Sequence, residues 1–131
     1  MKHLLPFAVV GLMSLLLLTG CADKPKLGQV TGTVTYKGEP VKEGTITFVP
    51  ADGRAATGKI VDGKITDVTC FEANDGVPVG SQTVLIHSPS PSDDMYKPIK
   101  SLIPARYGTL QSDLKADIVA GENPPLSFDL K

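Results

Sequence analysis

From residue 30 onward the chain is cut into short runs of β-branched and aromatic residues, each stopped within a few positions by Gly, Pro, Asn or Asp. Runs of that length are strands, and no long stripe of 3.6-residue period competes with them. Seven such runs fall at 30–36, 45–49, 58–61, 64–70, 81–87, 114–119 and 126–130. In the first, Val30, Gly32, Val34 and Tyr36 alternate with threonines; in the last, Leu126, Phe128 and Leu130 alternate with Ser127, Asp129 and Lys131. Each pattern gives one apolar and one polar face. Asp62-Gly63, set between two runs, predicts a type I′ hairpin, because both central residues of that turn need positive φ. A chain of 131 residues holds one such domain. The expected fold is all-β, a sandwich of about seven strands.

The beginning of the sequence has a different character. Met1, Lys2 and His3 precede an apolar stretch at 4–18, interrupted by Pro6, Gly11 and Ser14. A membrane-spanning helix needs about 20 apolar residues, so this 15-residue stretch reads instead as the helical core of a cleaved signal peptide. Its end, Leu18-Thr19-Gly20-Cys21, resembles the bacterial lipobox: an aliphatic residue, two small ones, and the cysteine that is acylated and becomes the new N-terminus. That resemblance implies a signal peptide at 1–20, a lipidated Cys21 with a polar tether over 21–29, and a folded domain over 30–131. Membrane lipid, reached through acylated Cys21, is the implied partner. Two or three acyl chains hold a protein to a bilayer where one holds it marginally. The implied location is the bacterial cell envelope, facing the periplasm or the surface. Ala22, where some bacteria use Asp to retain lipoproteins in the inner membrane, favours the outer membrane. With Cys21 acylated, Cys70 is left as a buried, unpaired strand residue; with an ordinary signal instead, a Cys21–Cys70 disulfide becomes available.

A formal net charge of −1 gives neither the basic footprint of a nucleic-acid binder nor an acidic tail. Beyond the signal, His87 is the one histidine, and no G-x-S-x-G elbow is present. No catalytic residue, metal site or cofactor is expected on this basis. Asp93-Asp94 and Asn74-Asp75-Gly76 read as solvated turn residues rather than calcium ligands. Two longer stretches, 71–80 and 88–108, break the strand rhythm, and loops of the second kind are often functional. Tyr96, Arg106 and Tyr107 are the candidate interaction patch there, since Tyr and Arg concentrate binding energy at interfaces. The competing arrangement packs Tyr107 beneath the loop and pairs Arg106 with a carboxylate. An open strand edge is a further route to an envelope partner.

Gly32-x-Val34, Gly38-x-Pro40-Val41, Gly44, Ile46 and Phe48 resemble the opening of the carboxypeptidase regulatory-like domain, a transthyretin-like sandwich. Gly58, Asp62-Gly63, Gly76, Pro78 and Gly80 before Val84 and Ile86 are similar to its middle hairpin and next strand. Ile103-Pro104, Arg106-Tyr107, Leu114, Ala116, and Gly121-x-Asn123 leading to Phe128-x-Leu130 resemble the tail of small planctomycetal lipoproteins built on this domain. Ile65 departs from the pattern, which commonly has an aromatic there. A transthyretin-like hydrolase of hydroxyisourate carries several histidines and a Tyr-Arg-Gly-Ser ending, neither of which this sequence has. The resemblance implies a non-catalytic, lipid-anchored interaction or structural module of the envelope. The alternative is a glycan or small-ligand binder using loop 88–108.

Overall fold

A computed structural model of the chain describes residues 25–90 and 94–131. Eleven strands are present among them: β1 Leu27–Gln29, β2 Gly32–Tyr36, β3 Glu39–Pro40, β4 Glu43–Pro50, β5 Ala56–Val61, β6 Lys64–Thr69, β7 Val77–Pro78, β8 Gly80–His87, β9 Lys115–Ile118, β10 Gly121–Glu122 and β11 Leu126–Leu130. A single 3-10 turn, Ala105–Gly108, precedes β9. The fold is all-β and sandwich-like, dominated by a curled sheet in the order β11-β2-β6-β5-β4-β8-β9, with β3 folded back on β2. A smaller sheet, β10-β1-β7, lies apart from that path. Pairing is antiparallel except for β11 on β2 and β10 on β1.

The alternation read from the sequence is the alternation that is buried. Ile46 and Phe48 of β4, Val84 and Ile86 of β8, Ala116 and Ile118 of β9, and Phe128 and Leu130 of β11 all face one core. Strand β5 keeps strict period two, with Ala56, Gly58 and Ile60 inside. Asp62 and Gly63 take φ of 49° and 76°, as the β5–β6 turn requires. Lys37 and Gly38 repeat this device between β2 and β3, at 51° and 81°.

Strand β6 breaks the rule for a local reason. Its register against β5 shifts between Thr57 and Lys59, and Asp67 sits at φ 52°. This bulge brings Val68 to the same buried side as Ile65. Gly58 makes room for it, since a Cβ there would lie 2.8 Å from Val68 Cγ2. Ile65 is itself buried, so an aliphatic side chain fills the position where the resemblance leads one to look for an aromatic.

Two boundaries differ from expectation. Leu27–Gln29, assigned to the tether, is strand β1, held between Val77–Pro78 and Gly121–Glu122. Residues 30–31 then separate it from β2 instead of extending that strand. Gly28 permits this crowding: a Cβ on it would fall 2.2 Å from Val119 O and 2.6 Å from Asn123 Nδ2. The Asn123 side chain stitches the junction, its Nδ2 donating to Val119 O at 2.9 Å and Gln29 O at 3.1 Å. Its Oδ1 accepts from Val119 N at 2.9 Å.

Candidate functional site

Leu18, Thr19, Gly20 and Cys21, which carry the lipobox resemblance, lie outside the described residues, as does Asp93. The other candidate residues belong to the long connection between β8 and β9. Its base is a ladder: Leu102 N donates to Ser88 O and Ser90 N to Lys100 O, both at 2.7 Å, and Pro89 bridges Ser101. Ser88, buried beside this base, donates from Oγ to Glu43 O at 2.6 Å. The loop is therefore fastened at its root rather than left to wave.

Beyond the root, the apolar side chains point outward. Met95 and Tyr96 are each 93% exposed, Ile99 72% and Leu102 53%. Asp94 shapes this tip by accepting the Tyr96 amide on Oδ1 at 3.0 Å and by an ion pair with Lys97 at 3.6 Å. One flanking hollow, of about 430 Å³, is lined by Pro89, Ser90, Asp94, Met95, Lys97 and Ile99. A smaller one, of about 180 Å³, lies between this loop and the β2–β3 hairpin, against Tyr36, Val41, Leu102 and Ile103.

The returning half of the loop docks on the core through Ile103 and Tyr107, both buried. Arg106 and Tyr107 are brought together, but not as a solvent-facing pair. The Tyr107 ring is inside, and its hydroxyl accepts from Arg106 Nη2 at 2.9 Å and Lys131 N at 3.1 Å. The Arg106 guanidinium also reaches Lys131 O at 3.1 Å and lies 4.8 Å from the Tyr107 ring centre. The Lys131 amide and then the Arg106 side chain hold the phenol below its ordinary pKa, outweighing the opposite effect of burial. This cluster ties the 3-10 turn to the end of β11. Of the candidate patch, Tyr96 stands on the exposed tip, while Tyr107 is packed beneath the loop, as in the competing arrangement. Arg106 bonds a phenol and a main-chain oxygen rather than a carboxylate.

The remaining chemistry-bearing residues serve the scaffold. His87 lies on the exposed face of β8 with its ring over Gly108, so close that a Cβ there would sit 2.4 Å from Cε1. Cys70 is free and buried, and burial first, then the Asp75 charge, raises its thiol pKa against the opposing Arg54. Asp75 closes the 70–75 turn by accepting the amides of Cys70, Glu72 and Phe71 at 2.6, 2.8 and 2.9 Å. Burial would raise its carboxyl pKa, but these amide bonds together win and lower it. Asn74 in the same turn takes φ 58°, a left-handed conformation that Asn tolerates. Among the described residues, no three His, Cys, Asp or Glu side chains gather as metal ligands, and no helix is long and apolar enough to cross a membrane.

No family model, no curated protein and no solved structure matches this chain.

Proposed function

We propose that this protein is a non-catalytic lipoprotein of the bacterial cell envelope, anchored through acylated Cys21, with a sandwich of the carboxypeptidase regulatory-like kind that presents loop 88–108 to a protein partner. One observation carries the interaction reading: Met95, Tyr96, Ile99 and Leu102 are held outward on a loop whose base is hydrogen-bonded and whose returning half is docked through Ile103 and Tyr107. Large apolar side chains gathered on one exposed loop suit a surface that meets a partner. The hydrogen-bonded root lowers the ordering cost of binding, because its backbone at Ser88–Ser90 and Lys100–Leu102 is already paired. The anchoring reading draws on the order of residues from Lys2 through the apolar stretch to Leu18-Thr19-Gly20-Cys21.

A photo-crosslinking amino acid at Tyr96, in the full protein expressed in a bacterial envelope, tests the interaction. A discrete protein adduct that is absent when the probe stands at Thr57, on the outer face of β5, is the expected result. Glycan binding is the second reading, favoured by the full exposure of Tyr96 as a stacking platform beside the Met95–Ile99 hollow. Adducts containing only glycan would support that reading and overturn the protein partner.

A further inference from the structure

We infer that the end of the sandwich bearing Val79, Val119 and Leu110 rests on the bilayer, so that the Met95–Leu102 face points away from it; the inference builds on the proposed anchoring at Cys21. The geometry starts at Lys26, whose carbonyl accepts the Val79 amide at 2.9 Å. Five residue steps separate Cys21 from that fixed point, a span of at most about 18 Å. A domain of this size is roughly 30 Å across. The tether is therefore shorter than the body it carries, and the attached end cannot turn away from the lipid.

That end has an apolar rim. Gly80 pairs with Ile118 as the last step of the antiparallel β8–β9 ladder; Val79 directly precedes that pair and Val119 directly follows it. These valines are 43% and 56% exposed. Leu110, 70% exposed, borders the same end beside Pro50 and Ala51, where β4 finishes opposite Gln82. Phe71 lies past the end of β6, with the Arg54 guanidinium 5.6 Å from its ring. Aliphatic and aromatic side chains flanked by Lys26 and Arg54 suit the boundary between acyl chains and phosphate headgroups. Asp52 and Glu122 also occur at this end, so the contact draws on the apolar side chains rather than on net charge.

The opposite end is set by the length of β8. From Gly80 to His87 the strand runs seven steps, about 23 Å, and loop 88–108 begins where it stops. Tyr96 is thereby placed on the far side of the domain from Val79. The lipid contact and the partner loop occupy opposite poles, which leaves the loop free for a partner in the aqueous compartment.

The chain contains no Trp, so a single introduced Trp is a unique reporter. The acylated full protein carrying Val79→Trp, Val119→Trp or Tyr96→Trp is reconstituted into phosphatidylethanolamine–phosphatidylglycerol vesicles containing a headgroup-nitroxide lipid. Leu110→Trp serves if either valine variant loses its strand signature by circular dichroism. Quenching at least threefold stronger at the valine or Leu110 sites than at Tyr96→Trp is expected. Protein that floats with the vesicles but is quenched equally at both ends, or more at Tyr96→Trp, overturns the orientation alone. Protein that does not float overturns the anchoring reading and the orientation with it.

Discussion

Asp75→Asn isolates one carboxylate whose whole task is to close a turn. In the native protein Oδ1 accepts the Cys70 amide while Oδ2 accepts those of Phe71 and Glu72. An asparagine of the same shape has one acceptor and one donor end. Whichever way it turns, its NH₂ faces at least one amide N–H, and the charge that strengthened the remaining bonds is gone. Hydrogen bonds to a charged group contribute about 1.5–3 kcal/mol each when buried, and less where water reaches the turn, as it does at Phe71 and Glu72. A loss of about 2 kcal/mol at pH 7 follows, near 10 °C in Tm for a domain of this size. The pH dependence has a definite sign. Because the folded-state pKa lies below the ordinary carboxylate value, the stabilisation is fully present above the unfolded pKa of about 3.9 and is lost as pH falls through the folded value. Urea unfolding of both proteins followed by circular dichroism, at pH 7 and in steps below pH 4, measures the difference. It should shrink steadily as the wild-type carboxylate is protonated. An Asn variant as stable as wild type at pH 7, or a deficit unchanged in acid, would refute the role assigned to Asp75.

Three further outcomes follow from the packing. Gly28→Ala drives a methyl group into Val119 O and Asn123 Nδ2, so it should cost about 2–3 kcal/mol, measured by thermal melting. Tyr107→Phe keeps the buried ring but removes the hydroxyl shared with Arg106 and Lys131, and should cost about 1 kcal/mol in urea unfolding, with Arg106 keeping its bond to Lys131 O. Cys70, buried with a raised thiol pKa, should react with an aromatic disulfide reagent far more slowly than a free peptide thiol. Asp75→Asn should quicken that reaction about tenfold or more by loosening the turn beside it.

The seven longer strands were legible because all but the bulged β6 bury strictly alternating side chains, a signal local to their residues. The Asp62-Gly63 turn was legible for the same reason, since positive φ is a property of the residues themselves. Strand β1 was not: Leu27-Gly28-Gln29 offers one apolar residue, and the segment is a strand because Val77–Pro78 and Gly121–Glu122 bond to it from far along the chain. The bulge at Asp67 was also hidden, because it depends on Gly58 across the β5–β6 pair. At the candidate site, the apolar content of loop 88–108 and the packing of Tyr107 beneath it could be read, but not the exposure of Ile99 and Leu102 beside the docked Ile103. Tyr96 and Tyr107 each adjoin one basic residue, Lys97 and Arg106. Only the fold sets the Lys131 amide and the Arg106 guanidinium against the Tyr107 hydroxyl and leaves Tyr96 in solvent.

The central claim is that Cys21 carries the lipid that places this sandwich at a membrane. Intact-mass spectrometry of the full protein purified from bacterial membranes reads it directly. The account predicts a chain that begins at Cys21 and carries a diacylglyceryl group, with or without a third acyl chain, and that becomes unprocessed or leaves the membrane in Cys21→Ser. A chain of unmodified mass, whether starting at Met1 or at some other residue, would contradict it.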